Sequence, residues 1–145
     1  MTRFLSRVVL LAGLGAAALA PRTSAAQGFK IVVNSDVQIS DIGQTSLSNL
    51  FLKKDRKFAT GVEAAPVDLS ASTAGRDAFS KAVHGRSTSA VVTYWQQQVF
   101  SGKDTPPPSK ANDDAVVAYV KSTPGGIGYV SEGASTDGVK VIKLK

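Results

Sequence analysis

Residues 67–85 read VDLSASTAGRDAFSKAVHG, and their order decides the fold. Val67, Asp68 and Leu69 end a short apolar strand. Ser70, Ser72 and Thr73 follow as a hydroxyl-rich turn, each competent to cap a helix N-terminus. Ala78, Phe79, Ala82 and Val83 then fall on one helical face, and Gly85 suits the C′ position. A strand that passes through four small residues straight into a helix is the working unit of an α/β domain.

The same alternation continues outward. Upstream, Phe29 to Asn34 (FKIVVN) is a β-branched strand. Asp41, with Gln44 three residues on, fits a capping box for a helix that buries Ile42, Leu47, Leu50 and Phe51. Residues 53–61 are turn-like, with Phe58 pinned to the core. The second strand, Ala64 to Leu69, is short and carries Pro66, which places it at a sheet edge. Downstream, Ser87 or Ser89 caps a third helix running through Val91, Val92, Tyr94, Trp95 and Val99 to Phe100, closed by Gly102. Trp95 lies on that apolar stripe and is expected in the core. TPPPSK (105–110) is a polyproline-like connector. Asn112, Asp113 and Asp114 open a fourth helix, where the dipole favours acids, with Val116, Val117, Tyr119 and Val120 behind them. Pro124-Gly125-Gly126 ends it. Ile127 to Val130 and the alternating Val139 to Leu144 are the last strands. The expected fold is α/β, a mixed sheet flanked by helices.

The N-terminus has a different character. Arg3 and Arg7 precede an uncharged apolar run from Val8 to Ala20, Pro21 stops any helix, and Ser24-Ala25-Ala26 offers small residues to a signal peptidase. Thirteen apolar residues fall short of the roughly 20 needed to span a bilayer. Residues 1–26 are therefore expected to be a secretory signal, with residues 27–145 forming one exported domain without a membrane span.

Arg3, Arg7 and Arg22 leave with that signal, so 17 basic residues become 14 and, against 11 acids, the net charge falls from +6 to +3. This is a solubility charge, not the clustered basic stripe of a nucleic-acid binder. Lys53, Lys54, Arg56 and Lys57 read as a solvated turn, with an anionic partner surface as the lesser alternative. With no cysteine and the single His84, neither a disulfide framework nor a multi-histidine or cysteine metal site is available. No cofactor is implied.

His84 precedes Gly85 at a helix end, where an imidazolium would meet the negative pole of the dipole, so a structural role is expected. Asp113 and Asp114 are adjacent and diverge on a helix, and no GxSxG elbow is present. No catalytic residue is assigned, and the chain is not read as an enzyme. Asp68, Ser70, Ser72, Thr73 and Arg76 form the one candidate site. The free N–H groups of the helix start and three hydroxyls would cradle an oxyanion, with Arg76 one turn inside as a solvent-facing counter-charge. The other reading is a well-capped helix with a solvated arginine. Since every helix needs a cap, periodicity alone favours that second reading.

VDLSASTAGRDAF, AVHGRSTSAVVTYWQQQVFSGKDTPPP and DAVVAYVKSTPGGIGYV, with SLSNLFLKK near the N-terminus, resemble the substrate-binding proteins of phosphate ABC transporters. They are similar in particular to short, exported, single-lobe relatives of that family. The resemblance implies one lobe of the type 2 periplasmic-binding-protein-like fold, working in the periplasm. In full-length relatives phosphate sits between two lobes, one of which contributes an Arg-x-Asp-x-Ser-Gly-Thr turn. Asp68 with Ser70, Ser72 and Thr73 occupies that place here, but Pro66 and Val67 stand where the arginine would be, and the Ser-Gly-Thr triplet is absent. The expected function is therefore a solute-binding-like module for phosphate or another oxyanion, alone or with another subunit. The alternative is an envelope protein-interaction module that keeps the fold without the ligand.

Overall fold

The computed structural model describes residues 28–145. The expected signal segment and the break after Ala26 lie outside them. Among the described residues are seven strands and four α-helices. The main sheet has five strands, in the order Asp41–Ile42 (β2), Lys140–Leu144 (β7), Lys30–Val33 (β1), Gly126–Val130 (β6) and Ala65–Pro66 (β3). At its centre, β1 runs antiparallel to both β6 and β7. The flanking pairs are parallel: β2 with β7, and β3 with β6. Every residue of β6 is buried, as its continuous apolar run requires of a strand covered on both faces.

The 64–69 strand is two strands, not one. Ala65 and Pro66 pair with Gly126 and Ile127 at the sheet edge, where the missing N–H of proline leaves no gap in a ladder. Asp68 and Leu69 then leave the sheet as β4 and pair with β5 (Ser109–Lys110) in a separate two-stranded ribbon. The residues after the proline connector thus become a strand that holds the start of the 67–85 segment.

The capping box at Asp41 and Gln44 does not form. Asp41 is held in β2, where its carboxylate takes Lys145 Nζ at 2.7 Å. Helix α1 (Gln44–Phe51) begins only after Gly43, which has no side chain to cap it. The second helix also differs from expectation. It runs as α2 (Ala74–Phe79) and then widens into a π-helical turn, Ser80–His84, closed by Gly85 at φ 62° in the left-handed region. That wider turn leaves Ala82 exposed and Val83 buried.

Ser87 caps α3 (Thr88–Phe100) by accepting from the Ala90 N–H, and Asn112 caps α4 (Asp113–Ser122) by accepting from Ala115. Trp95 is buried, as its stripe predicted, but in a small satellite cluster with Leu52 and Val91. The far end of the stripe fails: Val99 is 51% and Phe100 96% exposed. At the other end of α4, buried Asn34 donates to the Val120 and Thr123 carbonyls at 2.9 and 2.8 Å and so satisfies the helix C-terminus. Among the described residues, no helix is long and apolar enough to cross a membrane.

Candidate functional site: a buried ion pair beneath a hydroxyl turn

The site is positioned by the β4–β5 ribbon. The Asp68 N–H donates to Pro108 O and the Ser70 N–H to Lys110 O, which fixes the strand on both sides of Asp68. Beyond it, Thr73 closes the turn. Its hydroxyl donates to Ser70 O at 2.8 Å and accepts from the Arg76 N–H at 3.2 Å, so of the three possible caps Thr73 is the one used. Ser70 and Ser72 are left at the surface with their hydroxyl oxygens 3.2 Å apart. Among the described residues, the N–H groups of Ala74 and Gly75 have no acceptor, as expected for the first turn of a helix.

Arg76 is not solvent-facing. Its side chain folds back under the turn, where Nη1 donates to Leu69 O at 3.0 Å and lies 3.2 Å from Asp68 Oδ1. Both side chains are 7% exposed. Helical spacing is consistent with this, because Arg76 stands three and seven residues before the buried Phe79 and Val83, on the same face. It is drawn in by the carboxylate of Asp68, which burial would otherwise leave uncompensated.

Tyr129 completes the group. From β6 its hydroxyl donates to Asp68 Oδ1 at 2.8 Å and accepts from the Leu69 N–H at 3.2 Å. Its ring is stacked on Phe79 at 3.8 Å between centroids, with Phe51 and Phe29 against the same pair, so the hydroxyl is rigidly aimed. Burial pushes the Asp68 carboxyl up to about 6, against the opposing pull of Arg76 and of the Tyr129 bond. Burial, reinforced by Asp68, raises the Tyr129 phenol far above its ordinary range, so it stays a donor. Sequence reasoning passed over Tyr129 as part of an apolar strand. The available signal was chemical: a tyrosine in a fully buried strand needs a partner for its hydroxyl.

His84 plays the structural role expected of it but in the other charge state. Its Nδ1 lies 2.8 Å from Ser48 Oγ, tying the π-helical turn to α1, and its ring meets Phe79 edge-on. Burial, with Arg76, Arg86 and Lys54 nearby, lowers it to about 4, so the imidazole is neutral near pH 7. Three neighbouring cations and desolvation outweigh the helix dipole. The turn at 53–57 is solvated, and Lys53 and Arg56 face Asp104 at 3.8 and 2.7 Å. Among the described residues, no group of three His, Cys, Asp or Glu could hold a metal ion.

Beside the hydroxyl turn opens a cavity of about 510 Å³ between α3 and the proline connector. Asp68 and Arg76 lie on its wall together with Val92, Trp95, Phe100 and Pro107.

No family model and no curated protein matches the sequence. Solved structures do match. An ABC-type phosphate transport receptor from Vibrio cholerae superposes with a TM-score of 0.59 at 15% identity, over 82% of this chain and 48% of that one. A phosphate-bound protein of the phosphate ABC transporter substrate-binding type from Clostridium perfringens gives 0.61 at 12%, over 83% and 47%. PstS from Borrelia burgdorferi gives 0.57 at 9%, over 81% and 47%. The described residues share the fold of about half of each of these structures. The chain spans under half the length of the structures it matches. The α/β lobe with a mixed sheet flanked by helices is therefore as the sequence predicted.

Proposed function

We propose that this lobe is an exported, periplasmic solute-binding protein that holds an oxyanion, phosphate among them, on the turn between β4 and α2. Residues 1–26 serve as its secretory signal. The observation that carries the reading is the hydroxyl turn itself. Ser70 and Ser72 stand at the surface beside the unpaired N–H groups of Ala74 and Gly75, at the positive end of a helical segment. The buried Asp68–Arg76–Tyr129 group beneath makes the turn rigid, so little ordering is lost on binding. The likeness of the fold to phosphate receptors adds weight. Of the five residues, Ser70 and Ser72 touch the anion, Thr73 caps the helix, and Asp68 and Arg76 position the turn. The role is binding, with no reaction assigned.

The direct test is a nuclear magnetic resonance titration of residues 27–145 with inorganic phosphate. The Ala74 and Gly75 amide signals should move together and saturate. Shifts scattered over the surface lysines, with Ala74 and Gly75 unmoved, would refute the assignment.

A second reading, an envelope protein-interaction module, is favoured by one observation. Phe100 and Val99 form an exposed apolar end to α3, of the kind that contributes to interaction surfaces where it belongs to a larger apolar patch.

A further inference from the structure

The cavity beside the turn has a chemistry of its own. Its volume of about 510 Å³ is in the range that small organic ligands occupy, and its walls are apolar: Val92, Val99, Phe100 and the two prolines Pro106 and Pro107. At its polar end lie Asp68 and Arg76, which meet through Oδ1 and Nη1 at 3.2 Å. Asp68 Oδ1 also accepts from the Tyr129 hydroxyl, and Arg76 Nη1 donates its hydrogen bond to Leu69 O. Among the described residues, this leaves Asp68 Oδ2 without a donor and the Nε and Nη2 edge of Arg76 without an acceptor. Inorganic phosphate would satisfy Arg76 but leave the apolar walls in water.

We infer that this cavity binds a small neutral carboxamide with an apolar body. Its carbonyl accepts from the free edge of Arg76, its N–H donates to Asp68 Oδ2, and its hydrocarbon portion lies between α3 and the prolines. The head is neutral because the ion pair it meets is neutral overall, and a carboxylate would face Asp68 at close range. A primary amide offers one acceptor and one donor side by side, the complement of what the pair leaves open. The inference does not rest on the oxyanion reading, since the hydroxyls and helix N–H groups of the turn play no part in it.

Trp95 is the only tryptophan in the chain and lines this cavity, so its fluorescence reports occupancy. The probe is phenylacetamide, titrated into residues 27–145, with N,N-dimethylphenylacetamide, phenylacetate and inorganic phosphate in parallel. Phenylacetamide should change Trp95 emission saturably. The dimethyl amide, which lacks the N–H, should bind about tenfold more weakly, the loss of one hydrogen bond to a charged acceptor. Val92→Phe, which fills the cavity from half-exposed α3 without touching the ion pair, should remove the response while circular dichroism stays that of the parent. No saturable change with phenylacetamide overturns the inference, as does equal binding of the two amides or a response that survives Val92→Phe. Phosphate binding with no amide response would leave the oxyanion reading standing and this one refuted. An amide response together with Ala74 and Gly75 amide signals that phosphate leaves unmoved would refute the oxyanion reading alone.

Discussion

Arg76 Nη1 and Asp68 Oδ1 lie 3.2 Å apart under the hydroxyl turn, both side chains largely buried. An arginine read from sequence as a surface counter-charge is thereby a structural member of the lobe. Removing one partner of a buried pair leaves the other charge uncompensated, at a cost of roughly 3–5 kcal/mol. Arg76→Ala should lower the urea midpoint by a corresponding amount. A midpoint equal to that of the parent would mean that Arg76 is solvated after all.

The acid stability of the lobe follows from two opposed shifts. Asp68 is raised from 3.8 to about 6, so between those values the folded state holds a proton that the unfolded chain has lost, and stability falls as pH rises. His84 is lowered from 6.5 to about 4, so over nearly the same window the unfolded chain holds the extra proton, and stability rises with pH. The parent should show a nearly flat profile from pH 4 to 6. His84→Gln removes the second contribution, and its midpoint should then fall steadily as pH climbs through that window. Parallel profiles for the two proteins would contradict this.

Trp95 sits in a satellite cluster with its indole Nε1 buried and without a hydrogen-bond partner among the described residues. Trp95→Ala should cost roughly 3–5 kcal/mol through lost packing. Trp95→Phe keeps a ring and deletes the orphaned N–H, so it should cost less than half of that. Equal losses in chemical denaturation would show that the indole makes a bond not accounted for here.

Gly125 is fixed by its neighbours. It has φ 69°, and a Cβ there would run into the carbonyl oxygen of Glu63, on the loop leading into β3. Gly125→Ala should destabilise the lobe by ~2 kcal/mol or more, since it combines left-handed strain with overpacking. Thermal unfolding would check this, and an unchanged midpoint would argue against the close approach of these two segments.

That glycine also shows which parts of the fold were legible. Pro124-Gly125-Gly126 signals a stop and a turn in any sequence, and the strands on either side of the chain follow from their β-branched runs, because local propensity and pattern act over a few residues. Asp41 was misread because its partner, Lys145, is the last residue of the chain, and nothing local announces so distant a pairing. The break at Val67 was hidden for the same reason: it depends on Ser109 and Lys110 supplying a strand some 40 residues later. At the site, the hydroxyl turn was readable from composition with Thr73 as one of three possible caps, whereas the pairing of Arg76 with Asp68 and the bond from Tyr129 to Asp68 required the tertiary fold. Side chains that meet across sheet and helix leave no periodic trace.

The central claim, that the β4–α2 turn holds an oxyanion, is tested most directly by isothermal titration of residues 27–145 with phosphate, beside the Ser70→Ala/Ser72→Ala double variant. The two serines are surface hydroxyls that cap no helix, so the variant keeps the stability of the parent. An open lobe shields its ligand poorly, and the expected affinity is about millimolar, or about −4 kcal/mol, weakening as salt is raised. The account predicts saturable heat with the parent and its loss in the double variant. No heat at several times that concentration, or equal heat from both proteins, would contradict it.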